Sequence, residues 1–561
     1  MNFLNRPFIL GIALTLHCVG AMADIITNRI HFDHQLDVEV INGYPHDLNQ
    51  LDDHVTIGFV FRNQGDERRL SLRLSGDINI QQQVSLPAGE TQRLFLYLPY
   101  TNNDDFRIYL TDTRTGASIK PYYLRGEGGY YSSRNEPIYT LGRLGAISVA
   151  LNVAEPWVDI GRFDTERKMP DHWRGLSGVT AIVTEINHLQ QAHDWKTVVM
   201  DWLAMGGVLL LASETPLIDW DNVLPGRAFS WEAEPGRLNV GLGKVIVIPP
   251  SLLSKIDSDF DEVVGLAPTN PYSFESSPAQ SNLLLKSLLS DTGRAPRGLL
   301  FAMLMAFAII VGPLCWWYLI RRRGQPFRYI LSVVTISLVF CVVMLTAALL
   351  FEGVTPKGKT RSLRLFDLTA DREITLAQTA MFAPMQYGTM IEAPADATVI
   401  HFTGHEFYYQ RTHYTMHTNG ILQQLDGMLS VRRRQALGMR RLAPLEGKLV
   451  IQRDGDALRV ENYLHTTLMN FSIRDDEQFY RIKRLERGGV TTVQPTQSSN
   501  VMSQVNSSEN LMVSEASELM TALDDRALSK HYFFGQLEQS VQESFLMVGF
   551  GWLHALVQQE A

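Results

Sequence analysis

Residues 298–320 read GLLFAMLMAFAIIVGPLCWWYLI and residues 329–351 read YILSVVTISLVFCVVMLTAALLF; between them stand Arg321-Arg322-Arg323-Gly324-Gln325-Pro326-Phe327-Arg328. Neither apolar run carries a formal charge. At 1.5 Å per helical residue, about 20 such residues match a hydrocarbon core roughly 30 Å thick. Both runs therefore read as membrane spans, joined in a hairpin over residues 298–351. A helical hairpin buried in a soluble protein is the alternative for the same runs. Arg321, Arg322, Arg323 and Arg328 set the orientation, because a short arginine-rich loop stays on the cytoplasmic side. The spans hold no Asp, Glu, Lys, Arg or His, so they lack the ionisable groups of a proton relay or transporter. So short a loop cannot house a kinase, an ATPase or a DNA-binding unit.

Working outward, the N-terminus pairs a basic start with an apolar run from Pro7 to Ala21 and a small-x-small site, Ala21-Met22-Ala23. This is the pattern of a secretory signal peptide over residues 1–23, a retained anchor being the other reading. Export of the chain from Asp24 onward, and its return through an even number of spans, place both large regions on the periplasmic side of an inner membrane. The chain has 561 residues, enough for three or four folded units, with 45% hydrophobic and 19% charged residues. Its 50 Lys and Arg against 59 Asp and Glu leave a net charge of -9, which argues against a dedicated nucleic-acid binder. The 3 cysteines, Cys18, Cys315 and Cys341, all lie in apolar stretches. A disulfide scaffold, a Cys-ligated zinc and a cysteine nucleophile are thereby removed from the soluble regions.

Residues 24–125 alternate with period two. Val55, Ile57, Phe59 and Phe61 share one face, and Leu70, Leu72 and Leu74, then Leu94, Leu96 and Leu98, repeat the pattern. Turn signals at Asn63-Gln64-Gly65-Asp66, Pro87-Ala88-Gly89 and Thr113-Arg114-Thr115-Gly116 separate these runs. The expectation is a β-sandwich, and Phe61 to Gly65 with Leu86 to Glu90 resembles exported immunoglobulin-like modules. After a Gly- and Tyr-rich joint the period changes over residues 137–295. Ala146–Leu151, Val179–Val183 and Gly207–Leu211 are continuous apolar strands, and Trp195, Val198, Val199, Trp202 and Leu203 have helical spacing. Strand, helix and strand of this kind predict a parallel sheet covered on both faces.

Asp171-His172-Trp173-Arg174-Gly175-Leu176-Ser177-Gly178, Gly206-Gly207-Val208-Leu209-Leu210-Leu211 and Gly241-Leu242-Gly243-Lys244-Val245, with Gly312-Pro313 and Trp317-Tyr318-Leu319 in the first span, resemble two-span bacterial envelope proteins that carry a glutamine-amidotransferase-like periplasmic domain. The resemblance covers about residues 145–353. It implies a flavodoxin-like α/β fold and a neighbourhood of von Willebrand type A membrane proteins and, indirectly, a MoxR-type AAA ATPase. Catalytic members of the wider fold use a cysteine on a strand-to-helix turn, which this chain lacks. Ser213 is no ready substitute, since it has no flanking glycines of a nucleophile elbow.

Residues 355–490 again read as β-rich, with a hairpin at Asp454-Gly455-Asp456, and residues 491–561 as a polar linker followed by helices, the last from Phe545 to Val557. A docked helix, or one lying on the membrane, is expected there. Two groups invite chemistry. His401, His405, His413 and His417 are spaced to share strand faces and converge on a metal, though polar residues of exposed strands have the same spacing. Asp164, Glu166, Asp171, His172 and Trp173 form an acidic loop where α/β sheets contact ligands or partners. Arg432, Arg433, Arg434, Arg440 and Arg441 make a basic cluster suited to an acidic partner, anionic lipid or solvent. The overall expectation is a non-catalytic scaffold or interaction subunit of an envelope complex with no cofactor. The competing class is an exported hydrolase or ligand and metal sensor using the acidic loop or the histidine group.

Overall fold

Period-two burial organises the N-terminal strands. In β1 (Ile26–His31), β2 (Leu36–Asn42), β3 (His54–Asn63), β4 (Arg68–Ser75), β5 (Ile78–Leu86), β6 (Thr91–Pro99), β7 (Phe106–Asp112) and β8 (Tyr122–Leu124), alternate residues such as Leu70, Leu72 and Leu74 are buried. The computed structural model of the chain describes residues 26–42, 54–76, 78–99, 106–119, 121–124, 136–141, 158–163, 169–177, 179, 181–186, 189, 195–213, 220–224, 230–234, 236–241, 243–249, 297–321, 326–352, 357–368, 371–383, 391–402, 414–418, 422–427, 434–475, 478–496, 531–538 and 543–550. The expected signal peptide and the expected strand Ala146–Leu151 lie outside these residues. The protein is a β-rich multidomain chain.

Strands β1-β2-β3-β6 form one sheet of the first sandwich, and β5-β4-β7-β8 lie in the other. Next come β9 (Glu136–Leu141), β10 (Val158–Phe163), β11 (Ala181–Glu185), β12 (Val208–Ala212), β13 (Ser230–Glu234), β14 (Arg237–Val240) and β15 (Gly243–Ile248), in the order β10-β9-β11-β12-β15-β14-β13. The first five in that order pair in parallel and the last two antiparallel. The helix Lys196–Ala204 joins β11 to β12 and buries Val198, Val199, Trp202 and Leu203, the residues whose spacing predicts it. Its end explains the glycines. Gly206 has φ 120°, and a Cβ on Gly207 would stand 2.3 Å from the Trp202 ring. A Cβ on Gly243 would stand 2.2 Å from the Gly207 carbonyl oxygen and 2.3 Å from that of Leu203. The glycine turn is thus a close-packing device between β15 and the helix end.

Two apolar helical stretches come after this sheet. Arg297–Ile309 is α-helical and continues as wider π-type turns through Ile310–Leu314 and Trp316–Arg321. Pro313 lies in the first of them; it has no N–H for the regular ladder, which accounts for the widening. Pro326–Glu352 is one unbroken α-helix. Among the described residues one helix is long and apolar enough to cross a membrane, through Ile330–Ala347 with mean hydropathy 2.6, and Phe301–Leu314 is a shorter apolar helix. Phe301, Leu338 and Val334 are among many exposed apolar side chains on the two stretches, and Phe307 meets Phe340 with ring centroids 4.6 Å apart.

The strands beyond the helices are β16 (Lys357–Asp367), β17 (Arg372–Phe382), β18 (Ile391–Pro394), β19 (Thr398–Phe402), β20 (Tyr414–Thr418), β21 (Leu422–Asp426), β22 (Arg434–Pro444), β23 (Leu449–Asp454), β24 (Ala457–Asn462), β25 (Thr467–Asp475), β26 (Gln478–Leu485), β27 (Val490–Val493), β28 (His531–Glu538) and β29 (Glu543–Phe550). They do not stand apart from the N-terminal half. Strand β20 pairs in parallel with β5, Met416 opposite Ile80, so that β18-β21-β20 extend the second sheet of the first sandwich. Ala393, Val399, Met416, Leu425 and Leu437 enter that sandwich's core beside Leu72, Ile80 and Phe106. Leu365, Ile374, Leu376 and Leu442 join the core around Trp202 and Leu209 of the α/β unit. The β-rich region expected over residues 355–490 is thus interlocked with both N-terminal units.

The expected C-terminal helix is also corrected. Residues 543–550 form β29, parallel to β16 and antiparallel to β28, which in turn pairs with β25. An apolar run this short fits either period, and pairing with waiting strand edges decides it.

Strands β23-β24-β27 pack over β25 and β26 as a second sandwich around Phe471, Ile473 and Tyr480. It repeats the first. Asn63 Nδ2 donates to the carbonyls of Leu86 at 3.5 Å and Pro87 at 2.9 Å, 23 and 24 residues ahead. Asn462 Nδ2 donates to those of Leu485 at 3.1 Å and Glu486 at 3.3 Å, again 23 and 24 residues ahead. Each Nδ2 also reaches a carbonyl in the next turn, Asp66 at 2.7 Å and Thr466 at 2.9 Å. The two backbone N–H groups donate to Glu90 and Gly489, and the glycines just before, Gly89 and Gly488, have φ 71° and 73°. We expect Asn63→Ala and Asn462→Ala each to lower stability by about 1–3 kcal/mol, since each strips buried carbonyls of a donor. Denaturant unfolding of the full chain in detergent measures this, and Asn→Asp at either position should cost more than Ala because a carboxylate cannot donate.

Candidate functional site at a three-way junction

The Asp171 to Gly175 segment meets all three regions. His172 precedes a short 3-10 turn, Trp173–Leu176, and its Nδ1 accepts from the Arg174 backbone N–H at 3.3 Å and from Arg174 Nε at 3.2 Å. A side chain on Gly175 would collide with Pro170 at 2.4 Å and reach 3.0 Å from the Tyr97 ring. Only glycine lets the turn lie this close to β6. Trp173 is buried in the core shared by the α/β unit and the first sandwich.

Three contacts radiate from this turn. The Tyr97 hydroxyl donates to Asp171 Oδ1, the Arg174 guanidinium lies 4.8 Å from the centre of the Tyr97 ring, and Arg174 Nη1 donates to the Ala397 carbonyl at 3.4 Å. Tyr97 belongs to the first sandwich, Arg174 to the α/β unit, and Ala397 to the turn between β18 and β19. That turn is held from its other sides. Gln423 Nε2 donates to Ala397 at 2.6 Å and to Pro394 at 2.9 Å, and Arg441 Nε donates to Asp396 at 3.0 Å. A second strut joins Arg372 of β17 to Asp201 of the helix at 2.5 Å.

The electrostatics of the turn derive from burial. Burial, then the neighbouring Arg174 charge, pushes the His172 pKa down to about 3, which keeps Nδ1 free to accept. Burial lowers the Arg174 pKa, while Tyr97, Asp396 and Asp171 act to raise it. The polar groups of the turn divide: the Asp171 carboxylate bonds a tyrosine of the first sandwich, the Arg174 guanidinium reaches a ring and a carbonyl in the other two regions, the His172 imidazole holds Arg174 within the turn, and the buried Trp173 Nε1 meets no hydrogen-bond partner among the described residues. The arrangement locks bodies together and fixes their relative placement.

Of the acidic loop, Asp171, His172 and Trp173 come together here, and Asp164 and Glu166 lie outside the described residues. Of the histidine group, His401 is on β19 and His417 on β20, strands of two different sheets, and His405 and His413 lie outside the described residues. Among the described residues no group of three or more His, Cys, Asp or Glu is placed to hold a metal. The basic cluster divides: Arg441 pairs with Asp396, Arg440 is 8% exposed opposite Leu376 and Thr398, Arg434 opens β22, and Arg432 and Arg433 lie outside the described residues. Ser213 comes directly after β12, its N–H donating to the Ile248 carbonyl at 3.1 Å.

Sequence reasoning does not join Tyr97, Arg174, Asp396 and Arg441 into one site. A signal for Tyr97 exists all the same: Leu94, Leu96 and Leu98 occupy one face of β6 while Phe95 and Tyr97 make the other face apolar too, the mark of a sheet covered on both sides.

No family model matches the chain, and no curated protein matches it. Among solved structures, a β-glucosidase from Listeria innocua in complex with glucose is 12% identical over 16% of each chain, with a TM-score of 0.12. The yeast delta-COP-I mu-homology domain is 7% identical, with 35% of this chain against 94% of that one and a TM-score of 0.16; the same domain complexed with a Dsl1 WxWxV peptide gives 0.15. Likenesses this slight assign neither fold nor function.

Two outcomes are expected. Arg174→Ala, which removes the ring contact and the bond to Ala397, lowers stability by about 1–3 kcal/mol and speeds amide exchange in β19 and β6. The folded pKa of His172 is below that of an unfolded histidine, so its favourable share is full above about pH 6.5 and is lost as pH falls towards 3. The stability of the wild type relative to His172→Asn should therefore decline between pH 6.5 and 4 in paired denaturation curves.

Proposed function

We propose that this chain is a non-catalytic scaffold subunit of a bacterial cell-envelope complex, anchored in the inner membrane by two apolar helices with its folded regions on the periplasmic side. One observation carries the reading: residues before and after the apolar stretches share a sheet, through β5 and β20, and share two cores. Segments so joined must occupy one side of any membrane the intervening stretches enter. The arginines between those stretches and the signal-like N-terminus support the exported side. The exposed apolar surface of both helices needs lipid or protein cover.

The scaffold part rests on the shared cores and sheet, which hold the units together without depending on any one polar contact of the junction. A body made rigid across three units presents fixed surfaces, and confinement to a membrane plane raises its encounters with neighbours. The sequence resemblance of Asp171 to Gly178, Gly206 to Leu211 and Gly241 to Val245 to amidotransferase-like envelope proteins carries the partner reading, and on that kinship the partners are von Willebrand type A membrane proteins and, through them, a MoxR-type AAA ATPase.

Alkaline phosphatase fused after Ala561 should be active and the same enzyme inserted after Gly324 inactive; the opposite pattern contradicts the orientation. Proteins that stay with the chain through detergent extraction should also stay with Asp171→Ala and His172→Ala at unchanged yield per folded chain. Loss of a catalytic readout on one of these changes, with partners retained, contradicts the scaffold.

A further inference from the structure

The two sandwiches are copies that differ at one edge. In the first, β5 is the second strand of the hairpin after the asparagine corner, and its outer edge receives β20 in parallel, Tyr414 to His417 against Ile78 to Gln81. In the second copy the matching strand is β26, which pairs with β25 on one side and ends its eight-stranded sheet. Among the described residues its outer edge meets one group, the N–H of Thr496, which donates to the Phe479 carbonyl at 2.6 Å.

That bond fixes which way the strand faces. The Phe479 carbonyl points outward, and in an antiparallel pair alternate residues turn both backbone groups the same way. Arg481 and Lys483 therefore present their N–H and C=O groups along the edge, while Tyr480 and Ile482 bond to β25 and fill the core. The side chains of Arg481 and Lys483 are exposed, as is that of Arg487 just beyond. Residues 478–485 read QFYRIKRL, cationic and with no acid, whereas β5 reads INIQQQVSL and its guest β20 reads YTMHT, both without formal charge if histidine is neutral.

We infer that the β26 edge is a docking site for an extended acidic segment of another protein, which adds as a strand beside Arg481 and Lys483. Main-chain hydrogen bonds supply the pairing and alternate Asp or Glu side chains meet the cations. The first copy demonstrates that this edge of the module accepts a strand. Its neutral edge takes a neutral strand of the same chain; the cationic edge selects against a second copy of itself, since like charges across a strand pair repel. This site rests on the scaffold reading and deepens it by naming the chemistry of a partner.

The test uses the full chain in detergent micelles and two synthetic probes of about eight residues, one alternating glutamate with valine and one alternating lysine with valine. The acidic probe should bind and slow exchange of the Arg481 and Lys483 amides, and the basic probe should not. Arg481→Glu with Lys483→Glu should weaken binding about tenfold or more, as should added salt. Arg481→Pro removes an outward donor without touching the β25 ladder and should abolish binding, with unchanged exchange in β25 certifying the fold. Equal binding of both probes, no binding of the acidic one, or protection of these amides already in the free chain overturns the proposal. Any of these with envelope partners still co-purifying leaves the scaffold reading standing and removes this site alone.

Discussion

Burial of apolar side chains from both sides of the helical stretches in common cores is the constraint on which the rest depends. Leu365, Ile374, Leu376 and Leu442 come from beyond those helices and pack with Trp202 and Leu209; Met416 and Leu425 do the same with Leu72 and Phe106. A buried Leu or Phe contributes about 1.5–3 kcal/mol, so several in each core outweigh what one surface ion pair can add. The first sandwich is completed by strands that arrive roughly three hundred residues later, and such long-range pairing is slow to form. The N-terminal units remain unfinished until the chain beyond Glu352 is in place.

Polar contacts then set the angles that apolar packing leaves free. Arg174 is central because one side chain reaches a ring in one unit and a carbonyl in another. His172 supports it as a neutral acceptor, and Gly175 brings the turn close enough for both contacts. Arg372 and Asp201 tie a second pair of elements away from this point. The two apolar helices are built differently. Their exposed Leu, Val and Ile side chains call for an apolar environment, while the body they interrupt is internally braced.

Local structure is legible where one period rules. The turns at Gly89, Gly116 and Gly455, the helix through Trp202 and the strands on either side of it can be read from spacing and turn chemistry alone. Partnership is not legible. Nothing in Tyr414–Thr418 announces that it pairs with Ile78–Gln81, because a neutral strand fits many edges. The 543–550 run reads as helix since its apolar spacing suits both periods, and only the edges of β16 and β28 decide between them. The asparagine corners are hidden for a different reason. Asn63 and Asn462 each face a Leu-x-x-Gly turn, Leu86 to Gly89 and Leu485 to Gly488, but so short a cue does not announce that the asparagine bonds to it across the intervening hairpin. The junction is half visible: Asp171, His172 and Trp173 stand out as an acidic loop, but their partners are far away in sequence.

A single cross-link tests the shared sheet most directly. Asn79 and Thr415 are register partners across β5 and β20, close enough in a strand pair for a disulfide. With Asn79→Cys and Thr415→Cys in one chain, mild oxidation of native membranes should give a species that migrates faster on a non-reducing gel and reverts with reductant. A control pair one residue out of register, Asn79→Cys with Met416→Cys, should cross-link far less. If the in-register pair stays reduced while both thiols react with a small alkylating reagent, the two halves do not share a sheet and the account fails.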